Sequence, residues 1–320
     1  MFEINARLAR TWSRMGPRAV YGQALLELGK ENARVFAVSA DLGRSSGLDR
    51  FSKELPMQYL NTGIAEQNMV CVAAGLARSG YQVFASTFAP FAALRAGDQV
   101  RMNLGYMQEN VTLVALGSGL AMGFLGNSHF GLEDLAVMRA IPNLTVISPC
   151  DCVEMVKSLQ ALSQVNQPVY LRLTGTVNMP VVHETDYAFT IGRGYWVYSP
   201  STVTVIASGV SVGHAKKAID SLEGPIGLLN LHTVKPLDYA AIDQAFAAAD
   251  TIIIAEEHTV IGGLGSMIQA YAREQGYTGK IIVKGIQDEF VTTGSYAYMI
   301  ESLGLDHAGF ARDLVGCLAE

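Results

Sequence analysis

Charge is scarce in this chain. Asp, Glu, Lys and Arg together make up 16% of the 320 residues, while 50% are hydrophobic. That is more apolar than a free monomer needs, and it implies large apolar interfaces as well as a core. What charge there is sums to -6, which leaves no cationic surplus to attract nucleic acid or an anionic membrane. No apolar run reaches the ~18 residues of a transmembrane helix. Residues 1–16 lack the continuous apolar segment of a signal peptide, because Arg7, Arg10 and Arg14 alternate with Leu8, Trp12 and Met15. That stretch reads as an amphipathic helix that packs on something. Cysteine is sparse too: Cys71, Cys150, Cys152 and Cys317. Cys150-Asp151-Cys152 has the wrong spacing for a zinc knuckle and no second pair exists. Reduced thiols in a cytoplasmic protein are therefore expected, with no metal ligand in this chain.

What is present is an alternation of strand and helix signals. Short apolar runs such as Val35-Phe36-Ala37-Val38-Ser39 are the kind buried on both faces of a parallel sheet. They recur at 57–60, 81–85, 111–115, 145–147 and 169–173, with helical stretches between, including one over 88–102. The fold class implied is α/β, with two doubly wound domains. The first, mainly parallel, spans 1–180. Residues 174–190 read as a linker, and a smaller mixed-sheet domain spans 191–320. Ligands in such sheets bind beyond the carboxyl ends of the strands, so the loops after Ser39, Leu60, Ala85 and Ala115 are the site candidates.

One stretch organises these candidates: Asn61-Thr62-Gly63-Ile64-Ala65-Glu66-Gln67-Asn68, followed by the small and apolar run 69–77. A helix apolar on nearly every side is expected to be buried, which puts Glu66 in the first turn of a buried helix. Loss of water there disfavours a charged carboxylate, while the helix N-terminus favours it. From these residues alone the favoured reading is a glutamate that simply complements the helix dipole.

Gly63-Ile64-Ala65-Glu66-Gln67 resembles the pyrimidine-domain signature of the thiamine diphosphate enzymes of the transketolase class. That class includes 1-deoxyxylulose-5-phosphate synthase and the beta subunits of 2-oxoacid dehydrogenases. The resemblance implies that Glu66 hydrogen-bonds N1′ of the cofactor's aminopyrimidine and so promotes loss of the thiazolium C2 proton. By the same resemblance Phe88 and Phe91 line the pyrimidine pocket, and Asp41 lies beside the cofactor. Arg18 and Ser45 match an arginine and a serine that hold a phosphorylated sugar. Arg172 is offered as a further substrate arginine, the register of its strand leaving this open. His129, in Gly126-Asn127-Ser128-His129-Phe130, matches a histidine that reaches the reacting oxygen. In the second half, Val234-Lys235-Pro236-Leu237, Glu256-Glu257-His258 and Ile261-Gly262-Gly263-Leu264-Gly265 resemble the C-terminal domain of the deoxyxylulose-type synthases. The glycines of that last phrase lack a full dinucleotide fingerprint and read as a tight turn into a helix.

Departures from the family pattern are equally specific. Gly117 and Leu125 stand where transketolases carry a sugar-contacting histidine and aspartate. Phe124-Leu125 replaces an acidic pair, and Phe130 replaces a glutamine, so a more apolar substrate wall is expected. The Gly-Asp-Gly of the family's magnesium and diphosphate site is absent. The implied protein is the C-terminal subunit of a split transketolase-like enzyme moving a two-carbon unit from a 2-keto donor to an aldehyde. A partner subunit would supply the Mg2+ ligands, with homodimerisation inside a heterotetramer. A pyruvate-using synthase, a 2-oxoacid dehydrogenase beta subunit and a non-catalytic scaffold subunit are the alternatives.

Overall fold

In the computed structural model, residues 2–319 are described. The amphipathic start forms α1 (Ala6–Met15), capped by the Asn5 side chain, which accepts from Leu8 N–H. Gly16 then turns the chain directly into α2 (Pro17–Glu31), with Pro17 at the first helical position. α1 exists to bury Trp12, which is 1% exposed and meets Phe2 edge-on at 5.2 Å. Removing an indole of this size from water contributes about 4–6 kcal/mol before entropy is counted.

The alternation continues as β1 (Val35–Ser39), α3 (Asp49–Glu54), β2 (Tyr59–Asn61), α4 (Glu66–Arg78) and β3 (Gln82–Phe88). The expected helix over 88–102 is broken into π-helical turns at Phe91–Arg95 and Arg101–Tyr106 around a short α5 (Gly97–Val100). β4 (Val111–Ser118), α6 (Asp134–Ala140), β5 (Thr145–Ile147), α7 (Cys152–Leu162) and β6 (Val169–Thr174) complete the first unit. Residues 175–194 hold no helix or strand. The second unit contains β7 (Tyr195–Tyr198), β8 (Val203–Ala207), α8 (Ser211–Ile219), β9 (Ile226–Asn230), β10 (Thr233–Lys235) and α9 (Tyr239–Ala248). β11 (Thr251–Thr259), α10 (Leu264–Gln275), β12 (Lys280–Ile286), α11 (Tyr296–Ser302) and α12 (His307–Leu318) follow.

The strands form two sheets, of order β10-β5-β6-β4-β3-β1-β2 and β12-β11-β8-β9-β7. All pairings in the first are parallel except β10 with β5, and all in the second except β7 with β9. The mixed character expected of the second sheet is thus present. The first sheet differs from a self-contained one: β10, from the second half of the chain, pairs Thr233 with Ile147 and Lys235 with Val146.

The packing of α4 corrects the expectation of a fully buried helix. Met69, Val70, Ala73 and Ala74 are buried, but Gln67, Asn68, Cys71 and Gly75 face outward. The residues on the open side are small or polar, so burial of one side of the helix satisfies the apolar run.

Candidate active site

Glu66 opens α4. Gly63, at φ 73, redirects the chain, and Asn61 steadies the turn by accepting from the backbone N–H of both Asp41 and Gly63. The Glu66 carboxylate is 3% exposed, and both its oxygens accept from Arg95 Nη1, at 3.0 and 3.1 Å. Arg95 in turn lies over the Phe91 ring, with Cζ 4.2 Å from the centroid. Phe91 meets the His129 ring edge-on at 5.3 Å, and His129 meets Phe88 at 6.0 Å. Four side chains far apart in sequence, Glu66, Phe88, Phe91 and His129, are therefore joined in one line at the carboxyl ends of β2, β3 and β4. Arg95, which completes the line, was not among the expected site residues. Its spacing of four residues from Phe91, the distance of neighbours on one helical face, was the available signal.

Beyond Phe88 the line opens into a cavity of about 460 Å3. Arg18 and Ser45 border it, as do Gly117, Phe124 and Leu125. Ser45 borders the same cavity as Arg18 because its loop packs tightly on the start of α2: the Gly47 carbonyl takes the space where a Cβ on Gly22 would stand. Gly47, at φ 76, faces the Arg18 carbonyl in the same way. His129 Nδ1 is bonded to Ser128 Oγ at 2.9 Å, which orients the ring. Asp41 sits outside the cavity. Its carboxylate accepts from Asn61 Nδ2 at 3.1 Å, and its backbone holds φ 58.

Two expected wall residues are not there. Arg172 is buried at 2% exposure and spans the two domains. Its Nε donates to both Asp134 oxygens, at 2.9 and 3.1 Å, and its Nη2 donates to the carbonyls of Gly131 and Glu257. Burial works against this charge, but Asp134 outweighs it and raises the guanidinium further. A side chain so engaged is held away from substrate. Phe130, at 2% exposure, packs with Leu120, Leu132, Ile286 and Met299 in the core between the domains, not on the cavity wall.

The glycine phrase after β11 is a turn whose cradle is filled from within. Glu256 accepts from the N–H groups of Leu264 and Gly265 at the start of α10, at 2.7 and 2.8 Å. Burial pushes Glu256 up to about 7 against those bonds. An internal carboxylate thus takes the place a phosphate would use.

Among the described residues, one group of metal-ligating types comes together: buried Cys150, Glu154 and His183. Thiol and imidazole donors do not suit magnesium. Glu154 already accepts from Cys150 N–H, Tyr187 Oη and Asn230 Nδ2. Burial opposes its charge, but His232, His183 and these donors prevail and hold it well below the carboxylate range. The group reads as a buried polar bond between α7, the linker and β9.

With this geometry in place, comparison with known proteins decides the family. The chain matches the transketolase pyrimidine binding domain over residues 14–177 and the transketolase C-terminal domain over 194–309. It belongs to the transketolase family. An apulose-4-phosphate transketolase subunit of Phocaeicola vulgatus is 36% identical over 299 residues, covering 92% of this chain and 95% of that one. The 6-deoxy-6-sulfo-D-fructose transketolase subunit of a Clostridium species is 35% identical, covering 90% of each. A solved split-gene transketolase, described as an inactive beta4 tetramer, superposes with a TM-score of 0.85 at 33% identity, covering 95% of this chain and 99% of that one. This is a transketolase-like enzyme subunit of the split kind, and transketolase-family enzymes use thiamine diphosphate. No helix among the described residues is long and apolar enough to cross a membrane.

Proposed function

We propose that this chain is the C-terminal subunit of a split thiamine diphosphate-dependent enzyme that moves a two-carbon unit from a 2-keto donor to an aldehyde. The observation that carries the reading is the line from buried Glu66 through Phe91 and His129 to the Arg18 cavity. These residues fit the aminopyrimidine half of the cofactor: a buried carboxylate for a ring nitrogen, and aromatic side chains to set the plane of the ring. When bound, the cofactor supplies the electron sink that lets the donor cleave beside its carbonyl. Glu66 then holds a proton at N1′ of the pyrimidine. Phe91 and Phe88 orient that ring. His129 gives or takes a proton at the substrate oxygen. Arg18 and Ser45 grip the anionic end of the substrate. Asp41, fixed by Asn61, would border the cofactor.

The diphosphate and Mg2+ do not fit donors among the described residues, so we assign them to a partner subunit carrying the Gly-Asp-Gly site. Two copies of each subunit would form a heterotetramer, in which residues 1–180 bind the pyrimidine and 191–320 form the C-terminal domain. The inactive tetramer of a single subunit type in a relative supports such dependence. Cys71, Cys150 and Cys152, which form no disulfide, accord with a cytoplasmic location. Calorimetry tests this reading. The chain alone, given Mg2+ and thiamine diphosphate, should show no sub-micromolar binding, and addition of the partner should create it. Tight binding by the lone chain would remove the split-subunit reading.

A further inference from the structure

The Arg18 cavity has a property that the two-carbon transfer reading does not by itself require. Among the side chains lining it, Arg18 alone is charged, Ser45 and Thr176 add hydroxyls, and the remainder is apolar. One guanidinium matches one anionic group; a doubly charged phosphate would be left partly unpartnered. The floor is equally one-sided. Gly117 holds φ 63, and a Cβ there would stand 2.6 Å from both Cγ and Sδ of Met122 and 3.7 Å from Phe88. Met122 thus fills the volume into which any side chain at position 117 would project. Leu125 and Phe124, 40% and 82% exposed, form the lip above it. An isobutyl group and a phenyl ring offer a hydroxyl no partner and the thioether only a weak acceptor, which weakens binding about tenfold for each hydroxyl taken out of water there.

We propose that this cavity selects a substrate with a single anionic group, carboxylate or sulfonate, held by Arg18 on a body free of hydroxyls, and that Met122 determines this choice. The inference rests on the transketolase-like reading for its chemistry, but binding to the cavity can be read without turnover. Met122 and Met15 both line the cavity, so 13C-methyl methionine NMR on the full-length chain reports occupancy directly. Two four-carbon aldehydes serve as probes: succinic semialdehyde, with one carboxylate and no hydroxyl, and erythrose 4-phosphate. The Met122 methyl signal should move at concentrations about tenfold lower for succinic semialdehyde. Arg18→Gln should abolish that response. Read at the Met15 methyl, Met122→Gln should narrow the preference to about threefold or less, and Met122→Leu should retain it. Equal or tighter response to erythrose 4-phosphate overturns the substrate class, and a preference unchanged in Met122→Gln overturns the role of Met122. In the assembled enzyme with hydroxypyruvate as donor, the two acceptors should rank in the same order by kcat/KM, and the reverse order counts against the proposal. A complex that consumes no 2-keto donor refutes the proposed function instead, while the methyl shifts still decide this inference.

Discussion

Among the arginine–carboxylate pairs of this chain, Arg172–Asp134 and Arg95–Glu66 are built for opposite ends. Arg172 and Asp134 are 2% and 0% exposed at their side chains, and the arginine is engaged by a carboxylate and two carbonyls. Tyr170 Oη donates to the same aspartate at 2.8 Å, so the cluster is closed to any ligand. Arg95 and Glu66 are unequal: the carboxylate is 3% exposed, but its arginine is 47% exposed and reaches it through one nitrogen. A closed pair joins domains. A half-open pair leaves a buried carboxylate that a ligand can reach once the arginine moves aside. Fully matched hydrogen bonding goes with structure here, and the partial match goes with the carboxylate proposed for chemistry.

The comparison predicts changes of different kinds. Glu66→Gln should lower kcat of the assembled enzyme by about 10²- to 10⁴-fold, with the melting temperature unchanged. Deuterium exchange at the cofactor's C2, followed by NMR, should slow in parallel, and a wild-type exchange rate in the variant would strip Glu66 of its role. Arg172→Met should act on stability instead, costing about 3–5 kcal/mol by denaturant titration, because Asp134 is left buried without its cation. A loss below ~1 kcal/mol would mean that the closed pair is not what joins the domains.

The junction also holds His258, whose Nδ1 donates to the Thr259 carbonyl while Nε2 accepts from the N–H groups of Leu135 and Ala136. Burial holds it down at about 4, with Asp134 pulling the other way. The unfolded chain, with a histidine near 6.5, takes up the proton first. Stability present above that pH is therefore lost as pH falls toward 4, by roughly 3 kcal/mol for this one group. His258→Gln should remove that share of the acid slope in melts recorded from pH 7 to 4. An unaltered slope would show that His258 is not held neutral. The smallest effect belongs to Arg95→Gln, which should change stability by less than ~1 kcal/mol, since Arg95 is 47% exposed, so that water can reach the carboxylate in its place, and glutamine keeps a donor for Glu66. A larger loss in thermal melts would put both pairs in the same class.

Much of this was legible from the residues. The parallel runs, the Glu66 turn and the convergence of Phe88, Phe91, His129, Arg18 and Ser45 depend on local pattern and family wording, both of which a sequence carries. What it hid were pairings whose second member lies far along the chain. Arg172 sits between two leucines in a strand buried on both faces, and only Asp134 and the Glu257 carbonyl reveal why an arginine is tolerated there. β10 is three residues long and ends before Pro236, too short for a periodic signal. Phe130 was expected on the substrate wall, and only α11 and β12, which cover it, reveal it as core. The apolarity of α4 is a matter of composition, and composition does not say which side a neighbour will cover.

β10 has a consequence for how the protein is made. Synthesis runs from the first residue onward, so β5 emerges and its neighbours assemble while Thr233–Lys235 is still untranslated. Through that interval β5 is an outermost strand with unpaired amides, open to any extended chain nearby. Ser148 N–H, just beyond it, likewise waits for the His232 carbonyl that it meets at 2.7 Å in the finished molecule. A gene cut in the linker would leave that state permanent, so residues 1–190 released as a separate product would carry a sticky margin that the whole chain seals with its own later sequence.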